Sequence, residues 1–235
     1  MQTDSSATAF SSALPYPAHR GSVLPYFLLS LLIISIDQLS KYLVHSHMHL
    51  GEEIPVLGNA LKLLYTQNPG MAFGVEILPP PYGKLVLTSF RMLATAGLSY
   101  YIVRLWRQRA ATGFIACMAL ILGGALGNLL DSIFYGVLYH NAPFGSPTPW
   151  LYGQVIDMIN VPIYQGFYPK WVPVLGGQYT SGFPIFNLAD SSIFIGVALI
   201  LLLQGRFFKH EEAQRNAVAS ESADATATAS ASKFN

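Results

Sequence analysis

Four apolar stretches, each about as long as a bilayer crossing, constrain this 235-residue chain more than any other feature. They cover about 24–44, 85–106, 113–135 and 186–203, and a crossing takes roughly 20 predominantly apolar residues. Hydrocarbon offers no water to backbone polar groups, so each stretch is expected to satisfy its own as an α-helix. Charge usage agrees. Only 11% of residues are charged and 52% are hydrophobic, whereas a soluble domain carries about a quarter charged residues. A net charge of +1 gives no reason to expect nucleic acid as a partner. The single cysteine, Cys117, excludes an internal disulfide framework and a cysteine-cluster metal site.

Basic residues set the expected orientation. Arg104, Arg107 and Arg109 lie between the second and third stretches, and Arg206, Lys209 and Arg215 follow the fourth. The long segment between the third and fourth carries only Lys170. Both termini are therefore expected on the cytoplasmic side, with two loops facing outward. The apolar run after Arg20 is too long for the 7–15-residue core of a cleavable signal, so it reads as a retained helix. Residues 1–22 and 209–235 read as disordered cytoplasmic tails around a membrane domain at 23–208. The first outward loop contains a short alternating run at 60–64, compatible with a small β element. The second, at 136–185, is rich in Gly, Pro and aromatics such as Trp150, Tyr152 and Trp171, and is expected to lie on the bilayer surface. The expected fold is an all-α membrane protein: four transmembrane helices, a small outward β element, and a long outward loop before the last helix.

The twelve acidic residues sort by place. Eight lie in the tails or the first outward loop. Asp37, Asp131, Asp157 and Asp190 sit in or beside apolar segments. A carboxylate at the middle of a spanning helix costs roughly 2.5–3.5 kcal/mol on insertion scales, so such residues usually have a function. In the expected topology all four reach one depth, near the outer leaflet. Asn128 and Asp131 are three apart, as are Asn187 and Asp190, and each pair shares a helix face. Asp37 and Lys41, four apart, suit an ion pair. Gly123 and Gly127 make a small-xxx-small pattern that permits close helix approach. The bland reading of the polar pairs is hydrogen-bonded glue between helices, and for Asp37 with Lys41 it stands level with a chemical role. For Asp157 and Asp190 a chemical role is favoured. By position alone, an aspartyl peptidase and a small proton- or ion-coupled transporter rank almost equally. No H-E-x-x-H is present for a metalloprotease, and no G-x-S-x-G for a serine hydrolase. His45, His47 and His49 alternate without clustered partners and suit an interface better than a metal site.

Five motifs then occur in order: Asp37-Gln38-Leu39-Ser40-Lys41, Asn68-Pro69-Gly70-Met71-Ala72-Phe73-Gly74, the run from Gly123 to Asp131, Val155-Ile156-Asp157, and Phe186-Asn187-Leu188-Ala189-Asp190-Ser191. Together they resemble the lipoprotein signal peptidase (signal peptidase II) family of bacteria. The resemblance implies that Asp157 and Asp190 are the catalytic pair. It implies that Asn68, Gly70, Asn128, Asp131 and Asn187 line or support the site, and that Asp37, with Lys41, supports the structure around it. It also implies a multi-pass protein of the bacterial cytoplasmic (inner) membrane, working as a monomer near the outer leaflet and close to membrane lipid, with no cofactor or metal. The implied substrate is a diacylglyceryl-modified prolipoprotein, cut just before its lipidated cysteine, and the implied inhibitors are globomycin-like cyclic peptides. Two departures stand out. Ser132 follows Asp131 where the family usually has Arg, which leaves a charge partner absent or supplied from elsewhere, Arg91 being the candidate. The stretch between Asp157 and Asn187 is also longer than expected.

Overall fold

The computed structural model describes residues 21–69, 82–162, 166–172, 176–177, 179–180 and 183–231. Helices α1 (Leu24–His47), α2 (Tyr82–Arg107), α3 (Thr112–Leu138) and α4 (Leu188–Ala231) carry the four apolar stretches. In α4 the apolar part ends at Phe207. Each is long and apolar enough to cross a membrane. The helices are two to four residues longer at several ends than the apolar runs, because polar flanking residues continue the backbone ladder past the hydrocarbon-like core.

Helix α3 is the hub, packing against α1, α2 and α4. Half of its apolar window is buried, against 17–22% for the other three. Glycine makes this possible. A Cβ at Gly124 would run into the Ala189 carbonyl and the Ser192 hydroxyl, and one at Gly123 would lie 2.8 Å from Ile33 Cβ. The expected small-residue seam therefore brings both α1 and α4 to backbone distance. The polarity of α1 is inverted relative to a soluble helix. Ser30, Asp37, Lys41 and Val44 are buried, while Leu28, Leu31, Leu32, Leu39 and Leu43 are exposed, as lipid contact requires.

A three-stranded antiparallel sheet sits between these helices in sequence. It has the order β1 (Glu53–Leu57), β2 (Leu61–Asn68), β3 (Val155–Asn160). The β element expected around 60–64 is thus one strand of a larger sheet. Its third strand comes from the long segment before α4, where the sequence shows only an apolar run. A two-stranded ribbon, β4 (Gly166–Phe167) with β5 (Tyr179–Thr180), completes that segment. Residues 183–186 then return along β3: Ile159 N–H donates to the Phe186 carbonyl at 2.8 Å, and Phe186 N–H to the Ile159 carbonyl at 3.1 Å. This pairing delivers the start of α4 to the middle of β3.

Beyond Phe207 the helix continues to Ala231, which differs from the disordered tail expected from residue 209. The Ala-rich stretch supplies the strongest helix former, and it extends a helix already nucleated, so each added residue contributes a bond without a new nucleation cost.

Candidate active site

The four carboxylates in or beside the apolar segments form two linked groups. In the first, Lys41 Nζ lies 2.8 Å from Asp37 Oδ2 and 2.6 Å from Asp131 Oδ2, and none of the three side chains reaches the surface. Lys41 also donates to Asn128 Oδ1 at 3.1 Å. Asp37 Oδ1 accepts the Ala189 N–H at 2.9 Å, which ties α1 to the first turn of α4. The helix-spaced ion pair expected between Asp37 and Lys41 is present, and it is one side of a triad.

The second group joins Asp157 on β3 to Asp190 on α4. Asn187 stands just before the first residue of α4, with Asp190 three positions on. The Asp190 N–H donates to Asn187 Oδ1 at 2.9 Å, and the Asn187 N–H donates to Asp190 Oδ2 at 3.2 Å. This reciprocal pair is a capping box, which satisfies two of the donors orphaned at a helix start. Asn187 Nδ2 is left free to turn outward, and it donates to Asp157 Oδ1 at 2.6 Å and Asn128 Oδ1 at 3.1 Å. Asn128 Nδ2 donates to Asp190 Oδ1 at 2.7 Å. Asn68, the last residue of β2, donates to Asp157 Oδ2 at 2.9 Å. The sheet register makes that contact, because Thr66 lies opposite Asp157 and Asn68 opposite Val155. Three asparagines from three elements therefore hold the two carboxylates, and Asn187 touches both.

The two carboxyl groups differ in setting. Asp190 lies in the first turn of α4, where the helix dipole favours negative charge, and it is half-buried. Asp157 is only 2% exposed. Burial pushes its pKa up to about 7; the amide donors Asn68 and Asn187 oppose that rise and the nearby Asp190 charge adds to it.

Asp37, Lys41, Asn68, Asn128, Asp131, Asp157, Asn187 and Asp190 thus all belong to one connected network. Gly70 lies outside the described residues. Beside Ser132, Arg91 of α2 supplies the guanidinium: its Nη1 donates to Ser132 Oγ at 2.7 Å. One contributor carried no role in the sequence reading. Gln38 donates to Asp131 Oδ1 at 2.8 Å and to Asp37 Oδ2 at 3.2 Å, and its carbonyl accepts the Tyr135 hydroxyl at 2.9 Å.

A family model described as signal peptidase (SPase) II matches residues 29–205. A lipoprotein signal peptidase of Amoebophilus asiaticus is 46% identical over 180 residues, covering 75% of this chain and 76% of that protein. One from Porphyromonas gingivalis is 36% identical over 209 residues, covering 84% and 88%. A bacterial membrane enzyme solved by the in meso method at 2.3 Å resolution has a similar fold, with a TM-score of 0.54 and 23% identity over 81% of this chain and 93% of that one. With a matching family model over most of its length, the chain belongs to the signal peptidase II family, multi-pass bacterial membrane proteases that process lipoproteins.

Proposed function

We propose that the chain is an aspartyl endopeptidase that cuts diacylglyceryl-modified prolipoproteins just before the lipidated cysteine, with Asp157 and Asp190 as the catalytic pair. The observation that carries this reading is the shared amide of Asn187, which hydrogen-bonds Asp157 through its side chain and Asp190 through its capping box. It supports two carboxylates held close enough to share one proton, an arrangement that yields an acid and a base from one residue type. Asp190, at a helix N-terminus and receiving Asn128 Nδ2, suits the ionised member that draws a proton from water. Asp157, buried and raised to about 7, suits the protonated member that donates to the scissile carbonyl as charge develops on its oxygen. Asp190 then passes that proton to the departing amine as the C–N bond breaks, one hydroxyl of the tetrahedral carbon returns its proton to Asp157, and the titration belongs to the pair.

The membrane domain at 23–208 holds every part of this machinery. Arginines at the α2–α3 turn favour cytoplasmic termini and support a position of the pair toward the outer leaflet. A lipid-anchored substrate fits such a position: its acyl chains stay in the bilayer beside the exposed leucines of α1, while the peptide enters over the sheet.

The test is to incubate purified protein with lipidated and unlipidated forms of one prolipoprotein and to locate the cut by mass spectrometry. Cleavage of the lipidated form alone, immediately before the modified cysteine, is expected, together with inhibition by globomycin-like cyclic peptides. Folded protein that cleaves neither form, but carries protons across a vesicle membrane, would favour the transporter reading.

A further inference from the structure

Helix α2 turns charge toward the site that the aspartate pair itself does not use. Lys84, Thr88, Arg91 and Thr95 recur at helical spacing along one inward stripe. Thr88 Oγ1 donates to the Leu151 carbonyl at 2.9 Å and pins the stripe to the segment crossing α3. From Arg91, Nη1 reaches Ser132 Oγ at 2.7 Å, and that hydroxyl donates to the Asn128 carbonyl at 3.0 Å. Asn128 in turn holds Asp190. The guanidinium lies in the electrostatic field of Asp131, Asp190 and Asp157. Lys84 is buried, its Nζ has no hydrogen-bond partner among the described residues, and its charged neighbours are Arg91 and Asp131.

Charges face the pair from every packed element: Asp37 and Lys41 on α1, Lys84 and Arg91 on α2, Asp131 on α3, Asp157 on β3 and Asp190 on α4, with the Tyr135 phenol bound to Gln38. Four carboxylates thus meet three basic side chains, of which Arg91 is the fixed positive charge that α2 brings. Lys41 is shared between Asp37 and Asp131, and its charge also reaches Asp157. Arginine, unlike lysine, keeps its charge when buried.

We propose that Arg91 is a positioning residue for the aspartate pair: its fixed charge, delivered from α2 against Ser132, keeps the pair at a single proton and its water-activating carboxylate ionised at neutral pH. The inference rests on the aspartyl-peptidase reading above. It is tested by the pH profile of kcat/KM for a diacylglyceryl-modified prolipoprotein, measured on wild type, Arg91→Gln, Arg91→Lys and the double variant Arg91→Gln/Ser132→Arg. Removing a cation favours the neutral carboxyl, so the acid limb in Arg91→Gln is expected to move up by about one pH unit, with roughly tenfold less activity on that limb. Arg91→Lys keeps a point charge without the planar fork, so its limb stays while kcat falls. The double variant returns the guanidinium across the same contact and is expected to bring the limb back toward wild type. An unchanged limb in folded Arg91→Gln overturns the proposal. Should that variant fail to fold, Arg91→Lys decides: a limb displaced upward despite the retained cation overturns it, and a limb in place with lowered kcat supports it. Wild type without any cleavage would refute the aspartate pair instead, so the two failures are distinct.

Discussion

Asp37 and Asp131 on one side, Asp157 and Asp190 on the other, are the same residue type within one network, yet their partners differ in kind. The first two share the Lys41 ammonium and have no exposed surface. Both are paired with a cation in a low-dielectric interior, and losing that cation would leave buried carboxylates without a counter-charge. The second two are held by neutral amides from Asn68, Asn128 and Asn187. An amide donor stabilises a carboxylate without forbidding protonation, so this pair keeps the freedom that acid–base chemistry needs. In the proposed mechanism, partner type, more than depth of burial, separates scaffold from chemistry.

The largest effect that can break this distinction is catalytic. Asp157→Asn is expected to lower single-turnover cleavage by about 10³-fold or more while the protein still folds. Ordinary turnover in that variant would remove Asp157 from the chemistry. Next comes the scaffold side. Lys41→Met leaves two buried carboxylates without their cation and is expected to cost about 3–5 kcal/mol, read as a large drop in melting temperature in detergent. An unaltered melt would mean that the triad is incidental.

A smaller effect sharpens the difference through pH. A carboxyl raised to about 7 keeps its proton in the folded protein between about pH 4 and 7, where the unfolded chain has released it. Its contribution to stability is therefore full at low pH and lost as pH rises toward 7. Wild type should lose melting temperature relative to Asp157→Asn between pH 5 and 8. A difference that is flat across this range would show that Asp157 is not raised. Asn187→Ala removes the cap of α4 and one donor to Asp157, and about 1–2 kcal/mol of stability should go with it. Its rate should fall further than that loss of stability accounts for. Smallest in its bearing on chemistry is Gly124→Ala, which forces α3 from the Ala189 backbone at a cost of about 1–3 kcal/mol and lowers both groups' function alike.

The helices were legible because apolar length is a one-dimensional signal and hydrocarbon leaves the backbone no other choice. The polar motifs were legible as short helical spacings, as with Asn187 and Asp190, whose three-residue separation is the capping box itself. Asp157 was found as a residue but its strand was not. Val155-Ile156-Asp157-Met158-Ile159 lacks polar alternation because β3 is buried on both faces, so it reads as a piece of apolar span. Its pairing with β2 joins segments about ninety residues apart, which no local pattern encodes. Ser132 marked where a charge was missing and Arg91 was the candidate to supply it; the packing of α2 on α3 sets the guanidinium against the Ser132 hydroxyl. Gln38 stayed unassigned because a lone amide beside an aspartate has no periodic signature.

The central claim is tested most directly by measuring cleavage rate and melting temperature on the same preparations of Asp190→Asn and Asp131→Asn. The account predicts a crossed result. Asp190→Asn melts near wild type and cleaves at least about 10³-fold more slowly; Asp131→Asn, which strands Lys41 with one carboxylate fewer, melts far lower, and its activity falls only as far as its folded fraction does. Near-normal cleavage by folded Asp190→Asn, or an Asp131→Asn protein as stable as wild type, would contradict it.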